Sequence, residues 1–152
     1  MKINEVIETF IEQLWNQRQF QWAEELFPTN FVARPIAYQS IWHGTGPESM
    51  KQHIQEWLQG VPDLHMQPIN TLIQGNQCFV RWEMSGTHTG VLYGVPATGK
   101  PIKALGITFF EIENGKIREL QTLFDALGLM QQLEVLPDAI ALIQEHLRQL
   151  EN

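Results

Sequence analysis

Chemistry in this chain would have to come from a short set of residues, and Asp125 is the first of them. It stands between Leu123-Phe124 and Ala126-Leu127-Gly128-Leu129-Met130, the least polar neighbourhood of any acid in the sequence. A carboxylate shielded from water has its pKa raised and can exchange a proton near neutral pH, provided it sits inside a pocket rather than on the rim. The competing role is structural, because aspartate is a favoured N-cap and helical sequence begins at Ala126. Spacing alone puts the cap first, and the two roles are compatible. Strand alternation groups Ile117, Glu119, Gln121, Leu123 and Asp125 on one face if no bulge intervenes.

The other reactive side chains carry weaker signals. His43, His65 and His88 fall in loops or at strand ends, and His53 and His146 on helices, with no pair at metal-binding spacing. A metal site is therefore not expected. His88 stands out between two threonines flanked by Gly86 and Gly90; a hydrogen-bonded turn residue is its first reading and a catalytic partner its second. Arg34, Arg81 and Glu83 interrupt apolar strands, as an exposed face or cross-strand ion pairs would, and otherwise as pocket lining. Tryptophans such as Trp82 are core first and ligand-stacking second. Trp42, beside His43 in a loop, is placed to close a pocket. Cys78 alternates with Val80 and Trp82 and reads as a buried thiol, and as the only cysteine it excludes an intrachain disulfide. Gly86, Gly90, Gly94 and Gly99 precede no helix, so they form no phosphate loop. No Gly-x-Ser-x-Gly elbow is present.

The elements that position these residues follow from the hydrophobic period. Ile3, Val6, Ile7, Phe10, Ile11, Leu14 and Trp15 recur at helical spacing and predict a first helix. A short helix carrying Trp22 and Leu26 stops at Pro28, and a strand starts at Phe31. Pro47 and Glu48 suit the first turn of another helix, whose buried face is Met50, Ile54, Trp57 and Leu58 and which closes at Gly60. From Asp63 the period becomes two. Strands are predicted over 64–73, with Pro68 marking an edge or bulge, and from Cys78 to Ser85. Two more follow over 101–112 and 116–124, joined by the hairpin turn Asn114-Gly115. Residues 126–133 read as helix. Ile140, Ile143, Leu147 and Leu150 mark a terminal helix docked on the domain or on a partner subunit.

Helices first and a long antiparallel meander afterwards imply an α+β fold in which a curved sheet wraps around the N-terminal helices into a cone, open to a pocket at its wide end. A length of 152 residues fits one domain, with residues 136–152 as a C-terminal helical extension. Apolar residues at 43% against 18% charged argue for a packed core. A net charge of −7 with scattered lysines and arginines speaks against nucleic acid or an anionic membrane as partner. Without a signal peptide or an apolar stretch of membrane length, the expected location is cytoplasmic.

Taken in order, Gly86-Thr87-His88-Thr89-Gly90, then Gly94-Val95-Pro96-Ala97-Thr98-Gly99-Lys100, Asn114-Gly115-Lys116-Ile117-Arg118-Glu119 and Phe124-Asp125-Ala126-Leu127-Gly128-Leu129-Met130-Gln131-Gln132-Leu133 resemble the SnoaL-like polyketide cyclase (ester cyclase) family of the nuclear transport factor 2-like superfamily. The layout matches over 3–133 and the specific motifs over 86–133. The resemblance implies a homodimer-forming cone with an apolar small-molecule cavity and no metal or organic cofactor. It also implies that Asp125 is the general acid/base for an aldol closure of a polyketide ester. Relatives commonly carry tryptophan where this chain has Gln121 and histidine where it has Arg34, so the pocket is re-lined at those positions. The leading expectation is a cofactor-independent cyclase or isomerase in which Asp125 moves a proton and His88, Arg34 or Gln121 orients the substrate. A non-catalytic binding module for an apolar ligand is the alternative. An epoxide hydrolase or isomerase is a third, requiring Glu119 or Glu83 as a second carboxylate in the cavity.

Overall fold

Eight residues of unusual winding decide how the first helix meets the sheet. The computed structural model describes residues 1–36 and 44–151, so Trp42 and His43 lie outside the described residues. Helix α1 (Ile3–Glu8) runs directly into a π-helical segment, Thr9–Asn16. Its amides reach back five residues, as Gln17 N–H does to Glu12 O at 2.9 Å. In an α-helix, Phe10 and Trp15 would point about 140° apart. A π-helix bonds i to i+5, stacking residues five apart, and it buries both rings.

Two side-chain contacts then fasten this segment to the sheet. Asn16 accepts from Met66 N–H at 2.8 Å and donates to Met66 O at 3.0 Å. The amide thereby stands in for a neighbouring strand on the edge strand. Helix α2 (Trp22–Leu26) and strands β1 (Val32–Pro35) and β2 (Gly44–Thr45) lead to α3 (Gly46–Gly60), which starts with Pro47 in its first turn. The remaining strands are β3 (His65–Gln74), β4 (Gln77–Thr87), β5 (Pro101–Glu113) and β6 (Lys116–Phe124). Helices α4 (Ala126–Gln132) and α5 (Ala139–Leu150) follow.

The sheet order is β2-β1-β6-β5-β4-β3. It is a curved, unclosed α+β sheet, antiparallel except that β1 runs parallel to β6, a pairing that a simple meander does not predict. β3 is an edge strand with a register shift between Pro68 and Asn70, where the missing proline donor interrupts the ladder. The Asn114-Gly115 turn has φ of 52° and 73°, the left-handed pair of a two-residue hairpin.

Alternation separates a concave, buried face from a convex one. Cys78, Val80, Trp82 and Met84 of β4 are all buried, opposite Phe110, Thr108, Gly106 and Ala104 of β5. Phe110, Thr108 and Gly106 face Leu120, Thr122 and Phe124 of β6. A bulge between Glu111 and Ile112 changes the register, leaving Ile117 fully buried while Glu119, Gln121 and Leu123 point to the convex side. The face expected to contain Ile117 through Asp125 therefore loses its first member. Helices cover the concave face, with Phe10 edge-on to Phe110 at 5.3 Å and Trp57 edge-on to Phe124 at 5.8 Å.

Helix α5 does not dock on its own sheet. None of its residues is buried, and Ile140 and Leu150 are 68% and 69% exposed. No helix among the described residues is long and apolar enough to cross a membrane.

Candidate functional site

The space between helices and concave sheet holds a narrow pocket that opens to solvent at its mouth. Aromatic rings from four directions build its wall. Phe10 and Trp15 come from the π segment, Trp57 from α3, Trp82 from β4 and Tyr93 from the β4–β5 connection; Met50, Met66 and Met84 fill between them. Methionine adapts its shape cheaply, so this wall suits a largely apolar ligand of variable outline.

Gly106 lets Trp82 lie flat across the sheet. A Cβ at Gly106 would fall 2.3 Å from the Trp82 ring, so any side chain there would push the indole into the cavity. From this position the indole Nε1–H donates to Thr108 Oγ1 at 2.8 Å, and Thr108 Oγ1 is bonded to Thr122 Oγ1 at 2.9 Å. Thr108 is 4% exposed, so this is a polar chain inside an apolar wall, satisfying an indole that would otherwise be buried without an acceptor. Thr122 ends the chain with hydrogen-bonding capacity left over.

The helical side of the cavity holds Trp15 and His53. Their rings meet edge-on at 5.9 Å. The buried imidazole of His53 has its pKa pushed down from 6.5 to about 3, because burial penalises the charged form, and the ring is neutral at physiological pH. Trp15 is 4% exposed, and its Nε1–H has no acceptor among the described residues.

The residues that the sequence singled out do not converge. Asp125 is exposed and caps α4, accepting from Gly128 N–H at 2.8 Å. Its own N–H donates to Leu105 O at 2.8 Å, which continues the convex side of β6. Asp125 borders an open depression there, with Ile69, Arg81, Glu83, Leu105, Gly106, Ile107 and Leu123; Trp82 and Phe124 line both this depression and the cavity, but Asp125 is not among the cavity-lining residues. The alternation that puts Thr122 and Phe124 inside is what turns Asp125 outward.

His88 is fully buried in the β4–β5 connection, away from the cavity lining. Its Nδ1 lies 2.9 Å from Thr98 Oγ1 and 3.3 Å from Thr98 N–H. With His88 N–H to Lys100 O and Gly99 N–H to His88 O, it clamps the base of the loop that carries Tyr93. Tyr93 is held at φ 48° and sits edge-on to Trp57 at 5.6 Å.

Arg34 borders the cavity with an exposed side chain 3.7 Å from Glu119. Gln121 donates to Glu119 at 2.7 Å on the convex side and does not line the cavity. Trp82 does line it. Trp42 lies outside the described residues. Glu83 pairs with Lys103 at 3.1 Å on the convex face, so neither Glu83 nor Glu119 supplies a second carboxylate to the cavity. The described lining contains no carboxylate at all. Cys78 is buried, and burial raises its thiol pKa to about 11. Among the described residues, no three His, Cys, Asp or Glu side chains are grouped to hold a metal ion.

Sequence reasoning passed over Trp15, His53, Thr108 and Thr122. His53 could have been noticed from its place on the apolar stripe Met50-Ile54-Trp57 of α3. Thr108 and Thr122 are hydroxyls within strands whose same-face neighbours are apolar, which is a readable signal. The apolar stripe of the first helix includes Trp15, but nothing in the sequence announces the π winding that brings it round toward Phe10.

Comparison with known proteins bears on the fold and the family. The model of the SnoaL-like polyketide cyclase family matches residues 5–133. TsrD from Streptomyces laurentii is similar in structure, with a TM-score of 0.75 at 25% identity, covering 88% of this chain and 96% of that one. IdmH from Streptomyces antibioticus gives 0.74 at 21% identity over 88% and 99% of the two chains. A SnoaL-like polyketide cyclase from Agrobacterium tumefaciens gives 0.72 at 16% identity over 88% and 98%. No curated protein matches the sequence.

Proposed function

The chain belongs to the SnoaL-like polyketide cyclase family, and from that premise we propose that it binds a small, largely apolar carbonyl compound in the cavity between helices and concave sheet. The family fold supports a cyclase- or isomerase-type role. The observation that carries the reading is an aromatic and methionine-lined cavity with hydrogen-bonding groups set into its wall, the Thr108–Thr122 pair on the sheet and Trp15 on the helix. Hydrogen-bond donors in such a wall hold a carbonyl oxygen and stabilise the negative charge that enolisation would place on it.

The proton-transfer role of Asp125 is the finer part of the cyclase reading, and two observations favour a binding role over it. The described cavity lining carries no carboxylate, and the Asp125 carboxylate accepts the Gly128 amide outside it. In this proposal Asp125 serves as a helix cap.

The naphthyl ketone prodan, whose emission moves to the blue in apolar surroundings, tests the cavity directly. One site per chain with blue-shifted emission is expected, lost in Met84→Trp, which fills the cavity, and kept in Asp125→Asn. Binding that survives Met84→Trp in a folded protein would locate the ligand elsewhere. Loss of binding in Asp125→Asn would return the carboxylate to the site.

The convex face fits a second copy of the chain. Phe79, Leu105, Ile107 and Leu123 are each between 42% and 48% exposed there, a group of apolar side chains that a partner surface would cover. Arg81 and Lys103 lie beside Glu83 and Glu119 on the same face, which gives a second copy both signs of charge to meet.

A further inference from the structure

Three tryptophan N–H groups of this chain show what a satisfied indole looks like and what an unsatisfied one is. Trp82 donates to Thr108 and Trp22 to Gln19 Oε1 at 3.2 Å. Trp15, more deeply buried than Trp22, has no acceptor among the described residues, although its ring lines the cavity. An indole N–H only donates, so whatever completes it must bring an acceptor. A buried donor left without one carries its full desolvation cost, which native structures rarely tolerate without a reason.

The surroundings narrow the acceptor's chemistry. His53, the ring beside Trp15, is neutral at physiological pH, and the only cationic side chain on the described lining, Arg34, is exposed and 3.7 Å from Glu119. A carboxylate or phosphate would therefore enter an apolar wall without a counter-charge, at high cost. A neutral carbonyl oxygen meets the donor with no charge to desolvate.

The side of the helix on which the indole lies is imposed by the backbone. Trp15 shares a face with Phe10 because the Thr9–Asn16 segment is π-wound, and π turns inside helices are frequent at functional sites. In an α-helical continuation the two rings would stand about 140° apart, at opposite edges of the apolar stripe, instead of side by side.

We propose that Trp15 is the specificity-determining donor of the cavity, its Nε1–H hydrogen-bonding the carbonyl oxygen of a neutral, largely apolar ligand. This deepens the small-molecule reading above and rests on it. It separates ligands of equal size and shape by whether they carry an acceptor that can reach the indole N–H in the cavity wall.

The test compares prodan with its analogue in which a methylene replaces the carbonyl, on the full chain and on Trp15→Phe. For prodan, Trp15→Phe should raise Kd about 5- to 10-fold, the size of one hydrogen bond, and for the analogue it should leave Kd within about 2-fold. An equal effect on both ligands overturns the proposal and leaves the cavity reading standing. If neither ligand binds the unaltered chain, the cavity reading falls and takes the proposal with it. Nitrogen-labelled indole spectra of the unaltered chain give a second readout that no variant's folding can spoil. The Trp15 N–H signal, assigned through its contacts with Phe10 and His53, should move downfield with prodan and stay in place with the analogue. A Trp15 signal indifferent to the carbonyl overturns the proposal.

Discussion

Replacing Thr108 by valine removes one hydroxyl and leaves shape almost unchanged, so it isolates what the polar chain in the cavity wall contributes. Two hydrogen bonds disappear, from Trp82 Nε1 at 2.8 Å and with Thr122 Oγ1 at 2.9 Å. The larger consequence is the stranded Trp82 N–H, a donor at a residue 5% exposed. A buried donor without an acceptor costs about 1–3 kcal/mol, and water admitted through the cavity mouth sets the lower end. We expect a loss of about 2 kcal/mol, which for a chain of 152 residues lowers Tm by about 4–8 °C.

Thr122→Val should cost less, about 0.5–1 kcal/mol, because Thr108 still accepts from Trp82 and only one bond of a half-buried hydroxyl is lost. Once Thr108 is valine, the second substitution has no bond left to break. The double variant should therefore be less destabilised than the sum by about 0.5–1 kcal/mol. Thr108→Ser keeps the acceptor and should recover most of the loss. Urea unfolding of the unaltered chain and these four variants at one temperature measures all of these values. Equal costs at positions 108 and 122, or strict additivity, would refute the idea that Thr108 is the acceptor for Trp82.

Further expectations follow from the same geometry. His53 resists protonation in the fold down to about pH 3 but accepts a proton near 6.5 once unfolded. The unfolded chain therefore binds more protons below 6.5, and stability contributed by neutral His53 is present above that pH and lost as pH falls toward the folded pKa, at up to about 1.4 kcal/mol per unit. The stability difference from His53→Gln should shrink across that window, and a pH-independent difference would show that the imidazole is not held neutral by burial. At the other end of the fold, Asp125→Ala should cost about 1 kcal/mol of stability through the lost cap, and Asp125→Asn almost nothing, in thermal denaturation. Loss of prodan binding in Asp125→Ala at a temperature where the protein stays folded would contradict a purely capping role. Ile107→Glu on the convex face should shift sedimentation from dimer to monomer without unfolding the chain. A dimer that persists in that variant would place the interface elsewhere.

The legible parts of this sequence are those governed by short-range rules. Asn114-Gly115 demanded a two-residue turn and fixed β5 and β6 on either side of it, and the period of two in β4 separated Trp82 and Met84 from Arg81 and Glu83. Asp125 before Ala126 read as a helix cap, which is its geometry here. Long-range features were hidden. Alternation says which residues share a face, and does not say which face the sheet curves around. Along β6 the answer depended on the bulge at Glu111/Ile112 and on helices packing over Leu120, Thr122 and Phe124. The π winding at Thr9–Asn16 has no sequence signature comparable to a turn or a cap, and it is what draws Trp15 and Phe10 to the same side.

The motifs that place this chain in its family are largely the ones that build its frame. His88 and Thr98 clamp a loop, Asn114-Gly115 turns a hairpin, and Asp125 starts a helix. The groups that would touch a ligand are dispersed: Trp15 on the π segment, His53 and Trp57 on α3, Trp82, Thr108 and Thr122 on three different strands. A frame conserves shape, whereas chemistry is decided by what is mounted inside it. In this chain the described lining offers donors, hydroxyls and a neutral imidazole in place of a carboxylate, which is a constellation for holding and polarising a carbonyl oxygen. Among the described lining residues the base is the neutral His53 imidazole, a weak one because burial lowers its pKa to about 3. A solvent isotope effect on any prodan enolisation, measured with and without Trp15→Phe, would separate donor assistance from base catalysis.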